Sequence, residues 1–345
     1  MSTTTTTTTV EAAQHQLGRI RYKEPDISGD PMKKGYLEGY GDKSITYSVL
    51  PLHNFREDVF SESPRISLET HAFTAVKHNT ALLSPTHEGD PFMDPEMIEK
   101  IYVPELEEMI RTVTGARKII VIRSALRSQK SGPDVPKVES LSPDANKPTT
   151  HSDINSYLAS LDLTKPTYKV LGRGKVTPVR DAHCDYSLRG IRSEIRQGRH
   201  DIKFEAEDII AAEDQTPEDG RYEGRRYAVY SVWRPLKPVA RDPLAKCDPS
   251  SINEQSILEN GLKRPGINGP YLSNTYNLSG EQSERQKWYW LKDQQPDEVL
   301  ILQFFDSHAK QEGRPFGVFH ASPELIGVDN VDHRESFEVR CIAFW

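Results

Sequence analysis

Arg334-Glu335-Ser336-Phe337-Glu338-Val339-Arg340-Cys341-Ile342-Ala343-Phe344-Trp345 alternates as a strand does. Arg334, Ser336, Glu338 and Arg340 fall on one face, and Phe337, Val339 and Cys341 on the other. Such a charged face is either a solvated edge or the polar lining of a site. The lack of lysine and the apolar Ile342-Ala343-Phe344-Trp345 end favour the lining.

Working back from there, Glu298-Val299-Leu300-Ile301-Leu302-Gln303-Phe304-Phe305, Tyr227-Ala228-Val229-Tyr230-Ser231-Val232-Trp233 and Arg117-Lys118-Ile119-Ile120-Val121-Ile122-Arg123 read as buried strands. Ser44 to Leu50 is a peripheral one. Pro270-Tyr271-Leu272 and Trp288-Tyr289-Trp290-Leu291 are expected to form a strand pair around Gln286. Asp94-Pro95-Glu96 starts a helix, which Pro104 should break or kink before Gly115 caps it. Leu188, Ile191 and Ile195 carry a second helix, ending near Gly198. Many strands and few long helices imply a mainly β protein with peripheral helices, closed or sandwich-like and antiparallel.

With 345 residues, 36% of them apolar, the chain has enough material for a sizeable core. A net charge of -7 without a long basic run excludes nucleic acid as the expected partner. No apolar run reaches the roughly 18 residues of a membrane span. Cys184, Cys247 and Cys341, with no CxxC, argue against a disulfide framework or structural zinc and for a reducing, cytoplasmic setting. Residues 1–20, with their threonine run, are expected to be disordered, and they resemble neither a signal peptide nor an anchor. A single domain is expected over 21–345, with a surface insertion or mobile lid near 129–150.

His183-Cys184-Asp185 puts an imidazole and a carboxylate on one side of a strand and turns Cys184 to the other. The second HxD, His151-Ser152-Asp153, reads as the cap of a helix start. A plainer reading of His183 is a core histidine bonded to Asp185. For a third ligand His308, His320 and His333 compete. His320, at the end of an apolar run with one more strand behind it, is the choice, with His308 second. Two histidines and a carboxylate leave three positions on iron(II) open for a co-substrate and dioxygen. Arg334 and Ser336 offer a guanidinium fork and a hydroxyl suited to a carboxylate, with Arg340 as the alternative clamp. That combination is what 2-oxoglutarate requires. Tyr186, Trp233 and Arg234 are candidates for the substrate pocket, against core packing for Trp233 and a surface salt bridge for Arg234.

These residues, together with Ser231 to Leu236, Pro243 to Asp248, Trp288-Tyr289, Glu298-Val299 leading to Phe305-Asp306-Ser307, and Arg334 to Arg340, resemble the fungal hydroxylase/desaturase family of non-haem iron, 2-oxoglutarate-dependent dioxygenases. The resemblance runs from about residue 70 to the end. It implies a double-stranded β-helix of the jelly-roll or cupin-like kind and oxidation of an unactivated C–H bond in a small natural product. It also implies Fe(II) on His183, Asp185 and His320, with 2-oxoglutarate clamped by Arg334 and Ser336 and dioxygen as the other co-substrate. No catalytic group beyond the metal centre is expected. Two alternatives remain: an iron oxidase or oxidative cyclase that does not use 2-oxoglutarate, and a metal-free β-barrel binding protein whose triad is a polar core cluster.

Overall fold

Uninterrupted apolar runs make strands that are covered on both faces, and these form the smaller of two sheets. A computed structural model describes residues 15–34, 41–85, 87, 90–128, 162–166, 177–217, 221–329 and 331–345. In it β3 (Phe73–Lys77), β4 (Lys118–Arg127), β6 (Tyr227–Pro235), β11 (Glu298–Asp306) and β14 (Ser336–Phe344) form a five-stranded antiparallel sheet in the order β3-β11-β6-β14-β4. Every residue of β6 and β11 is buried.

The inner face, with Leu300, Leu302, Trp233, Ile342 and Phe344, joins one apolar cluster with the facing sheet. The outer face, with Val232, Ile301, Phe337, Val339 and Cys341, packs on helix α1 (Val103–Thr114) through Leu106, Met109 and Ile110. Burying each such aliphatic side chain contributes roughly 1.5–3 kcal/mol. The clamp holds β14 rigidly from outside while its polar face looks in.

The larger sheet has nine strands in the order β13-β1-β2-β10-β7-β12-β5-β9-β8. They are β1 (Gln16–Asp26), β2 (Gly41–Asn54), β5 (His183–Cys184), β7 (Ala245–Cys247), β8 (Ile257–Arg264), β9 (Tyr271–Leu278), β10 (Trp288–Trp290), β12 (His320–Ala321) and β13 (Glu324–Leu325). Two facing sheets sharing one core are the double-stranded β-helix, as expected. Helix α2 (Leu188–Gln197), capped by Ser187 Oγ on the Gly190 amide, follows β5, and α3 (His200–Glu205) and α4 (Glu207–Gln215) pack beyond it.

Asp94 caps the first helix as expected, and Gly115 ends it with φ of 72°. Pro104 does not break it. A π-helical turn at Ile98–Tyr102 immediately precedes α1, so the proline follows a local widening of a helix that runs on through it.

Two further expectations are corrected. Residues 16–20 are not outside the fold, because Gln16–Asp26 is an 11-residue strand with Ile20 and Tyr22 fully buried against the core. The threonine-rich composition ends before this alternation begins. The strands flanking Gln286 do not pair: β10 lies between β2 and β7, and β9 between β5 and β8. β8, α3 and α4 were not anticipated. The insertion near 129–150 and the helix start at His151 lie outside the described residues.

Candidate metal centre

β5 and β12 are only two residues each, yet their pairing sets His183 directly opposite His320. Directly opposed residues share a face. The two rings lie 4.3 Å apart between centroids, and Asp185, two residues after His183, completes a cluster whose ligand atoms are all within 4.8 Å of one another. The His183 Nε2 to Asp185 Oδ1 distance is 3.6 Å, and that from His320 Nε2 to Asp185 Oδ2 is 4.0 Å.

The surroundings orient and tune the ligands. His183 Nδ1 donates to the Asp181 carbonyl at 2.7 Å, which turns Nε2 toward the cluster. His320 is buried and stacks on Phe304 at 5.2 Å with 16° between planes. Burial, with His183 beside it, lowers its pKa to about 3, so it is neutral. Burial pushes Asp185 up, but the Arg340 guanidinium and then His183 outweigh it and hold the carboxyl below the usual carboxylate range.

Arg340 Nη2 sits 2.9 Å from Asp185 Oδ2, an ion pair that makes no directed hydrogen bond to that oxygen. Its Nε donates to Glu338 Oε1 at 3.1 Å, which also accepts from Ser231 Oγ at 2.9 Å. Glu338 is held far below its ordinary value because Arg340 and Arg127 outweigh the cost of its burial. Arg340 thus pins one oxygen of Asp185 and leaves Oδ1 turned to His183.

Arg334 is buried in the same pocket as His183, His320 and Trp233. Its Nη1 donates to the Asp242 carbonyl at 2.8 Å and to Ser322 Oγ at 3.3 Å, and its guanidinium lies 5.2 Å from the centre of the Trp233 ring. Burial, with Arg127 next in effect, lowers its pKa to about 9. Arg334 Nε and Ser336 Oγ are both buried without a hydrogen-bond partner among the described residues.

Cys184 points away from the cluster, with Sγ against the Tyr186 and Phe304 carbonyls, and burial pushes its thiol up to about 12. His308 bonds the Gly224 carbonyl, and His333 lies beside Glu335; neither joins the cluster. Trp233 lines the pocket. Tyr186 is fully buried but is not among the residues lining the pocket; it accepts from Arg123 Nη2 at 2.5 Å.

Arg234 is a correction: it follows Trp233 in β6 and so faces the other way. There it donates to the His78 and Pro296 carbonyls at 2.7 and 2.9 Å and to Tyr102 Oη at 3.2 Å. Sequence reading missed Arg127, Ser231 and Ser322, which also line the pocket. Ser231 was in reach, because it shares its strand parity with Trp233.

The sequence matches, over residues 46–344, the family described as oxidoreductase/YMDC permease-like domain. It is 32% identical to the gibberellin cluster GA4 desaturase of Gibberella fujikuroi over 88% of this chain and 89% of that one. It is 27% identical to the alpha-ketoglutarate-dependent dioxygenase tstK of Talaromyces stipitatus over 94% of this chain and 96% of that one. The iron and alpha-ketoglutarate-dependent endoperoxidase NvfI shares the fold with a TM-score of 0.61 at 20% identity, over 95% of this chain and 97% of that one. With its double-stranded β-helix and its paired histidines around one aspartate, the chain belongs to the fungal hydroxylase/desaturase family of non-haem iron, 2-oxoglutarate-dependent dioxygenases.

Proposed function

We propose that His183, Asp185 and His320 hold Fe(II), that Arg334 and Ser336 hold the far carboxylate of 2-oxoglutarate, and that the enzyme hydroxylates or desaturates a small-molecule natural product. One observation carries the reading: two imidazoles and one carboxylate converge on register-paired strands with His183 Nε2 and Asp185 Oδ1 turned to one another. The donor set suits a facial triad, and the orphaned Arg334 Nε and Ser336 Oγ suit an anion one strand away. Iron with 2-oxoglutarate bound supplies oxidising power from dioxygen, with succinate and carbon dioxide as co-products.

The chain's own residues set the stage for that chemistry. Arg340 orients Asp185, the Asp181 carbonyl fixes the His183 tautomer, and Phe304 fixes the His320 ring. Val179, Leu244, Leu302 and Trp233 wall the pocket and limit water beside the reacting centre. Cys184, Cys247 and Cys341 are free and buried, which suits the reducing cytoplasm. Among the described residues no helix is long and apolar enough to cross a membrane.

The test is iron content and 2-oxoglutarate-dependent succinate release in wild type and His183→Ala. The expected result is loss of both in the variant; full iron and turnover in His183→Ala would sink the ligand assignment.

A further inference from the structure

Beyond Arg340 the inner face carries a second group of buried charges that the metal centre does not use. Arg123 in β4 pairs in register with Arg340, one strand spacing or about 5 Å away. Its Nη2 donates to Tyr186 Oη, and its Nε is buried without a partner among the described residues. Arg264, at the end of β8, is 8% exposed, and its Nε is likewise buried and unpartnered among them. Burial, with the Arg123 guanidinium next in effect, holds Arg264 below the ordinary arginine value.

Glu194 from α2 is the carboxylate that acts on both arginines, and it accepts from Tyr271 Oη at 3.0 Å and Tyr186 Oη at 3.4 Å. Tyr271 is the register partner of Arg264, and Ser273, two residues on and on the same face, has a buried Oγ with no partner among the described residues. That face of β9 continues to Asn277, the register partner of His183. Two guanidinium groups therefore share one carboxylate in a buried setting, with three donors left over. An uncompensated buried charge is costly unless a ligand neutralises it.

We infer that Arg123 and Arg264, with Ser273, form a subsite for a carboxylate on the organic substrate, which anchors a carboxylate-bearing molecule with its reacting C–H at the His183–Asp185–His320 cluster. This rests on the metal-centre reading and adds the substrate class to it. Planar guanidinium forks match a carboxylate in two-point fashion. Arg334 lies with Asp242 and Ser322 in the pocket of the cluster itself, so co-substrate and substrate anions have separate partners.

The test uses the full chain loaded with Mn(II) and saturating 2-oxoglutarate, which occupies the Arg334 side. The probes are 4-phenylbutyrate and its uncharged amide, followed by calorimetry and thermal unfolding. Wild type should bind the carboxylate at least tenfold more tightly than the amide, and Arg264→Met and Arg123→Met should each abolish that preference while still binding Mn(II) and 2-oxoglutarate. Arg264→Met without probe should unfold at the same or a higher temperature, because it removes an unmatched buried charge; a purely structural arginine would lower it.

Equal binding of acid and amide by wild type overturns the subsite, and that arm needs no variant to fold. So does an Arg264→Met protein that keeps the preference. Failure of wild type to bind Mn(II) or 2-oxoglutarate overturns the metal-centre reading instead.

Discussion

Replacing Asp185 by Asn separates two roles that meet on one side chain. Without metal, Asp185 and Arg340 form a buried ion pair at 2.9 Å, with side chains 9% and 14% exposed. Removing one partner of such a pair costs about 3–5 kcal/mol, mostly because the other charge stays buried. Glu338 Oε1, 3.1 Å from Arg340 Nε, supplies a second counter-charge and sets the expected loss at the lower end, about 3 kcal/mol. Arg340→Met in the same chain removes the orphan, so the double variant should recover roughly 2 kcal/mol of that loss relative to additivity.

With metal the arithmetic differs. Mn(II) at a hundred times its Kd should stabilise wild type by about 2.7 kcal/mol and Asp185→Asn by far less. Urea unfolding of wild type, both single variants and the double, each with chelator and with Mn(II), reads both legs. Additivity within about 0.5 kcal/mol in chelator would refute the ion-pair reasoning. An undiminished Mn(II) stabilisation of Asp185→Asn would refute the ligand role.

Arg334→Met should raise the 2-oxoglutarate KM about 10- to 100-fold, the worth of a charge-assisted hydrogen bond at about 1.5–3 kcal/mol; steady-state succinate release measures it, and an unchanged KM moves the clamp elsewhere. Arg234→Met should leave that KM alone and destabilise the fold by about 2–4 kcal/mol, since two carbonyls and the Tyr102 hydroxyl lose their donor; a changed KM with stability intact would contradict its placement. Lys246 is buried, with Nζ 4.4 Å from the centre of the Phe55 ring and a bond to the Leu244 carbonyl, and burial holds it well below the ordinary lysine value. The folded chain therefore sheds this proton at a lower pH than the unfolded one, and stability rises with pH up to the unfolded value near about 10.4. Lys246→Met should stabilise the protein at pH 7 by on the order of 2 kcal/mol and lose that slope, and denaturation at neutral and alkaline pH should show the gap closing; a constant gap counts against it.

What was legible followed the strength of the local signal. β6, β11 and β14 are long and apolar enough for one reading of their pattern, whereas β5 and β12 have two residues each and carry no periodicity. The chemistry of His183, Asp185 and His320 marked that place where secondary structure could not. β8 hid because it is an edge strand whose burial does not alternate. Arg234 went to the wrong face although adjacency to Trp233 in one strand already forced them apart, so alternation was available there and decided against it.

Arg123 could not be placed by alternation at all, and the reason is a single residue. Along β4, Ile119 and Val121 face the outer cluster, so strict alternation would send Arg123 there too, against Met109 and Cys341. The register with β14 shifts between Arg340 and Cys341, so Arg340 opposes Arg123 while Cys341 opposes Val121, and Ile122 is the extra residue. A bulge of this kind re-aims the chain beyond it. Arg123 then joins Arg340 on the inner face, as does Arg127 opposite Ser336, while Ile120 still faces inward opposite Ile342 at the apolar end. Polar and apolar halves of the inner face can thus be built from one strand whose sequence parity differs between them. Deleting Ile122 should therefore regularise the ladder with Arg123 still facing inward, directly after the outward Val121, and should cost no more than the roughly 1.5–3 kcal/mol of one buried aliphatic side chain; a much larger loss of stability would contradict the role given to the bulge.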